Sequence, residues 1–209
     1  MRIALLLLGS YLVGSIPVGV IVGRLWRRVD VRKYGSGNIG FSNVLRVLGW
    51  RPAALVLAAD ALKGLAPVLV GRSLLTAWAV PEIDLWLLAV ALAPILGHSF
   101  SIFIGFRGGR AVTTTGGVLL GLAWPAAAIA LAVWLALVGL TRYISVGSMA
   151  AAASVPMYMA LAGKRWEWVV FWCAVAALVM LRHLPNVGRL LSGTETKIGQ
   201  TVPVEEGEN

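Results

Sequence analysis

Pro52-Ala-Ala-Leu-Val-Leu-Ala-Ala-Asp-Ala-Leu-Lys-Gly-Leu-Ala-Pro-Val-Leu-Val-Gly71 is apolar or small throughout, apart from Asp60 and Lys63, and arginines bracket it at 51 and 72. A helix rises about 1.5 Å per residue, so a tract of this length spans a hydrocarbon core of about 30 Å. The stretch therefore predicts a membrane-crossing helix. Its two charges stand at i,i+3, on one side of that helix. Charges inside a span are costly unless paired or turned to a polar cavity. The first reading is a structural pair locking the helix; the second has Lys63 reaching an anion site.

Working outward, the preceding segment Arg24–Arg51 carries Arg24, Arg27, Arg28, Arg32, Lys33, Arg46 and Arg51 against the single acid Asp30. Before it, Ile3–Val22 is apolar, and its Pro17 and Gly19 run directly into arginines. That is a stop-transfer pattern, so we read a retained first span rather than a cleaved signal. After Arg72, the Pro81, Glu82 and Asp84 segment suits an outer loop. Further apolar runs follow at Leu85–Gly97, Ala111–Ala123 (short for a full crossing), Pro125–Leu140, Met149–Ala162 with a kink at Pro156, and Trp166–Leu181, with a tight turn at Thr141–Ser148.

The expectation is an all-α, polytopic integral membrane protein with seven transmembrane helices. Of its 209 residues, 59% are hydrophobic and 13% charged, about half the charged share of a soluble domain. Basic residues concentrate in alternate loops, which puts the N-terminus outside and the C-terminus in the cytoplasm. Residues 1–198 form one membrane-embedded domain, and 199–209, ending in the acidic Glu205–Asn209, are expected as a disordered tail. The single Cys173 excludes a disulfide framework. The net charge of +9 reads as basic inner loops facing anionic lipid or substrate, not nucleic acid.

Three polar segments fall on the cytoplasmic side of this topology. Tyr34-Gly-Ser-Gly-Asn-Ile-Gly-Phe-Ser-Asn-Val-Leu-Arg46 offers glycine N–H groups, small polar side chains and one guanidinium. Gly97-His98 leads into Phe106-Arg-Gly-Gly-Arg110. Arg182-His-Leu-Pro-Asn186 continues through Arg189 to Glu195-Thr-Lys197. Each has a plain explanation: turns, packed histidines, arginines answering lipid phosphate. Together they suit the binding of one or two phosphorylated molecules.

In this order and spacing, with Gly14-Ser-Ile-Pro17, Asp60-x-x-Lys63-Gly64 and Ser145, the segments resemble the acyl-phosphate-dependent glycerol-3-phosphate acyltransferases, the PlsY family of bacterial inner membranes. The resemblance runs from about Gly14 to Lys197. It implies seven spans, an active site at the cytoplasmic face of the cell membrane, and transfer of a fatty acyl group from acyl phosphate to the 1-hydroxyl of glycerol 3-phosphate. Lysophosphatidate and phosphate are the products, and the reaction is the first step of phospholipid synthesis. It implies Ser36, Arg46, His183 and Asn186 as catalytic, and Gly35, Gly37, Asn38, Asn43, Lys63, His98, Arg107, Gly108, Gly109, Arg110, Ser145, Arg189 and Glu195 as substrate-binding. Glu195 reads as an anchor for the tail on an arginine rather than as a base. Arg107 and Arg110 stand where the family carries lysines. No metal and no cofactor are expected. The expected partners are the two substrates, membrane lipids and a soluble enzyme that makes acyl phosphate.

The readings set against this one are a small-anion or phospholipid transporter, a divergent acyltransferase with another acceptor, and a structural protein without ligand. No inverted repeat is visible, and no His-x4-Asp signature occurs, since His98 is followed by no acid before Glu167.

Overall fold

A computed structural model describes residues 1–203, which contain ten α-helices. They are α1 (Arg2–Ser15), α2 (Val18–Arg27), α3 (Phe41–Leu48), α4 (Trp50–Ala77), α5 (Ile83–Ser99), α6 (Val112–Leu122), α7 (Trp124–Thr141), α8 (Ile144–Leu161), α9 (Trp166–Arg182) and α10 (Leu184–Leu191). Among the described residues, five segments are long and apolar enough to cross a membrane: 2–27, 50–77, 83–104, 124–141 and 144–161. A sixth arises if α9 and α10, bent by 52° at His183, count as one span. The chain is thus an all-helical, multi-pass membrane protein. The α6 helix is shorter than a crossing, as the 111–123 run suggested.

The first span is broken where Pro17 sits. Proline supplies no N–H and cannot continue the helical ladder. The Ser15 carbonyl is freed at this point while Ile16 O accepts from Val18 N at 3.0 Å, and each takes a side-chain donor. The Ser101 hydroxyl donates to Ser15 O, and Lys63 Nζ donates to Ile16 O at 3.0 Å. Lys63 also lies 2.8 Å from Asp60 Oδ1, and both side chains are buried. The two charges of α4 therefore pair with each other and tie α4 to the break in the first span.

Small residues let helices touch backbone to backbone. At Gly14 and Gly97 an added methyl would strike the backbones of Pro94 and Tyr11, which brings α1 against α5. At Gly64 and Gly117 it would strike the Thr114 and Ala61 carbonyls. With Gly121 against Leu65 and Val68, this register sets α6 parallel to α4, beside the stretch from Ala61 to Arg72. The earlier half of α4 packs instead against α2 and α3, with Ala53 and Val56 in one apolar cluster with Val20, Val44 and Val47. Asp60 falls between these two neighbourhoods, on the wall of a polar cavity.

One expectation is corrected in detail. The turn placed at Thr141–Ser148 is shorter, because Arg142 takes a left-handed conformation and α8 starts at Ile144; Ser145 is therefore in the first turn of a helix. Further on, Val202 N donates to Arg46 O at 3.1 Å. Glu205–Asn209 lie outside the described residues.

Candidate active site

The glycine-rich loop is shaped by Asn43. Its Oδ1 accepts from Ser36 N at 2.8 Å and Ser36 Oγ at 3.2 Å, and its Nδ2 donates to Val31 O at 2.8 Å and Tyr34 O at 3.2 Å. Gly35 and Gly37 take left-handed φ of 59° and 68°, which the tight turn requires. Asn38 Oδ1 then accepts from Gly40 N at 2.9 Å, at the start of α3. One helical turn past Asn43, Arg46 is buried and donates to Thr196 O at 3.1 Å.

The second segment folds back on the end of α5. Gly108 N donates to Ser99 O at 3.2 Å and Gly109 N to His98 O at 2.9 Å. A methyl on Gly109 would collide with the His98 ring. His98 is buried, with Nδ1 3.8 Å from Asp60 Oδ1. Beyond these glycines Arg110 enters the site, and Ala111, left-handed at φ 58°, opens α6.

The third segment centres on Glu195. Oε1 accepts from Ser145 Oγ at 2.8 Å and Asn186 Nδ2 at 2.6 Å, and Oε2 accepts from Arg189 Nε at 2.7 Å. Such charge-assisted bonds fix the tail against α8 and α10. His183 is buried at the bend between α9 and α10, and its Nδ1 lies 2.8 Å from Val179 O. A carbonyl accepts only, so Nδ1 carries the proton and Nε2 keeps its lone pair.

These elements enclose one cavity of about 640 Å³. Its polar end is lined by Asn38, Ser42, Asn43, Arg46, Asp60, His98, Arg110, Thr113, Ser145, His183, Asn186 and Glu195. Its apolar arm runs between α6, α7 and α8, past Leu57, Leu119, Leu120, Trp124, Leu131, Trp134, Ala152 and Val155. Trp124 at the far end is 70% exposed, so the arm reaches the outer surface of the bundle.

The electrostatics suit an anion. Burial lowers the Arg46 pKa, an effect that Glu195 opposes and Arg189 reinforces. Burial, with the positive charge of Arg189, pushes Arg110 down to about 10, against the pull of Glu195, with Arg46 and Arg182 adding to the shift. Burial pushes Glu195 up, but the hydrogen bonds from Asn186, Ser145 and Arg189 outweigh it and hold the carboxyl below its usual range.

The model of the family described as glycerol-3-phosphate acyltransferase matches residues 4–193. The chain belongs to this family. A glycerol-3-phosphate acyltransferase of Synechococcus sp. (strain JA-2-3B'a(2-13)) is 44% identical over 94% of each chain. "Glycerol-3-phosphate acyltransferase 2" of Moorella thermoacetica is 45% identical over 94% of this chain and 97% of its own. A solved structure of PlsY, an integral membrane glycerol 3-phosphate acyltransferase in its glycerol 3-phosphate form, is similar with a TM-score of 0.87. It is 34% identical, and the match covers 95% of this chain and 96% of that one. The lysophosphatidic acid form of PlsY gives 0.84 at 33% identity over the same shares of both chains.

Of the residues expected at the site of this acyltransferase, Asn38, Asn43, Arg46, His98, Arg110, Ser145, His183, Asn186 and Glu195 line the cavity. Gly35, Gly37 and Ser36 sit behind it in the loop that Asn43 ties, and Lys63 sits behind Asp60. Gly108 and Gly109 give their N–H groups to backbone carbonyls, so they shape the loop. Arg189 lies outside the lining and donates to Glu195. Arg107 is exposed and lies outside the lining. Ser42, one of the small polar side chains of the glycine-rich loop, also lines the cavity, and sequence reasoning passed over Thr113 and Thr115 on its wall. The one signal for the threonines was hydroxyl residues at the head of an otherwise apolar helix.

Proposed function

We propose that this acyltransferase moves a fatty acyl group from acyl phosphate to the 1-hydroxyl of glycerol 3-phosphate, the first step of phospholipid synthesis. The observation that carries the reading is one cavity with two chemistries. Arg46, Arg110, Asn38 and Asn186 suit phosphate at its polar end, and the arm between α6, α7 and α8 suits an alkyl chain.

The hydroxyl oxygen attacks the acyl carbonyl carbon, the bond from that carbon to the phosphate oxygen breaks, and the departing phosphate carries off the hydroxyl proton. Because phosphate leaves readily, the protein's task is to hold two mutually repelling anions in contact and to answer the charge that develops. The arginines do this. His183 Nε2, fixed by the Nδ1 contact to Val179 O, accepts from the 2-hydroxyl of glycerol 3-phosphate and so orients the acceptor. Ser36 and Asn43 act by keeping the glycine loop in shape, and Ser145, Arg189 and Glu195 by fixing Asn186.

The topology follows from the same reading. With α6 counted as a short crossing, seven crossings put the N-terminus outside and the C-terminus inside. The site, ringed by Arg46, Arg110, Arg182 and Arg189, then faces the cytoplasm of the cell inner membrane, as positive-inside charge requires. Acyl phosphate would come from a soluble enzyme on that side.

The test offers purified protein glycerol 3-phosphate with acyl phosphate or with acyl-CoA. Lysophosphatidate from acyl phosphate alone is the expected result. Product with neither donor would overturn the assignment.

A further inference from the structure

We propose that Arg182 is a positioning residue: it clasps the loop that carries Arg110 and thereby sets the donor phosphate site. This rests on the proposed acyl transfer and assigns Arg110, among the phosphate-binding residues named there, to the acyl phosphate. Arg182 does not line the cavity. Its guanidinium instead donates through Nε to Gly109 O at 3.0 Å and through Nη2 to Gly108 O at 2.6 Å. These are the two carbonyls immediately before Arg110. The same guanidinium lies over the Phe100 ring, 5.6 Å from its centre, which fixes its plane.

The loop needs such a clasp. Between the short 3₁₀ turn at Ile102–Ile104 and α6, the chain forms no regular structure. Phe106 and Ala111 both take left-handed conformations that side-chain-bearing residues disfavour. Its N–H groups at Gly108 and Gly109 go to the end of α5. The carbonyls of the same two residues have Arg182 as their donor, and buried carbonyls need one. Gripping two successive carbonyls suits the fixed fork of arginine; a lysine ammonium is a single point.

The position of Arg182 in the chain adds a consequence. The next residue, His183, lines the cavity. One turn of chain therefore holds the donor loop with one side chain and presents the acceptor-side histidine with the next. A shift at the α9–α10 bend would move both.

The experiment compares R182A, R182K and F100L with the wild-type chain in full kinetics for both substrates. R182A is expected to raise KM for acyl phosphate about tenfold, the size of one charge-assisted hydrogen bond. The kcat and the KM for glycerol 3-phosphate should stay within about twofold, since ground and transition states lose the same contact. R182K should fall between, and F100L should show a smaller change of the same kind. The effect of R182A should also vanish in an R110A background. A merely structural role would lower the yield of active enzyme and leave both KM values alone. Unchanged KM for acyl phosphate in R182A, or in R182K should R182A fail to fold, overturns the proposal. If the wild-type chain makes no product from acyl phosphate, the functional reading fails by itself. The clasp is then judged by the inorganic phosphate concentration needed to raise the melting temperature, which R182K should increase and an idle Arg182 would not.

Discussion

Ser145 and Glu195, fifty residues apart in the chain, share a buried hydrogen bond of 2.8 Å. It joins the first turn of α8 to the segment after α10. The same carboxylate holds Asn186 and Arg189. One acid thus assembles the wall of the cavity from three parts of the chain. The Glu195 side chain is 2% exposed and that of Arg189 is 31%.

Removing the carboxylate should therefore cost both stability and turnover. We expect E195A to lose about 1–3 kcal/mol, the cost of leaving buried donors without an acceptor. E195Q should lose less, since it keeps one acceptor oxygen. Thermal unfolding in detergent, beside acyl transfer, measures both. A wild-type melting temperature in E195A would refute the anchoring role.

The same group predicts an acid limb. Its folded pKa lies below the ordinary glutamate value of about 4.3. A depressed carboxylate contributes stability that is fully present above the unfolded value and lost as pH falls through the folded one. Melting temperature should thus be level above that range and decline below it, with a shallower decline in E195Q. Equal slopes in the two proteins would contradict this.

Arg46 and Arg110 crowd positive charge into a buried space, and each has its pKa lowered by that burial. A phosphate-bearing ligand there relieves the repulsion and binds only the folded form. At a hundred times its dissociation constant it should stabilise by about 2.7 kcal/mol. Glycerol 3-phosphate should raise the melting temperature of the wild-type protein and leave that of R46A almost unmoved. An equal shift in both would remove Arg46 from the phosphate site.

R46A and H183A should each abolish transfer while the protein stays in the membrane. Near-normal turnover in either, at matched membrane content, would strike that residue from the machinery.

The apolar arm makes a different prediction. Ala152, on α8, lines it opposite α7. A152F should fill the arm and shift donor preference toward shorter acyl phosphates, with KM for glycerol 3-phosphate unchanged. A chain-length profile identical to wild type would mean that the alkyl chain lies elsewhere.

The sequence alone determined the solvent and the chemistry. The apolar run at 52–71 is long enough to cross a bilayer, and Arg46, Arg110, His183 and Asn186 in their glycine and turn settings pointed to phosphate. It could not separate contact from support. Asn43 and Arg110 read alike as ligands, yet Asn43 spends all four of its hydrogen bonds on the loop. Arg107 and Arg110 looked equivalent, and only Arg110 enters the cavity. Arg182 was one more arginine at the end of a span until its two carbonyls were seen. The physical reason is that residue type sets what a side chain can bind, whereas the packing of distant segments decides which of its partners is within reach.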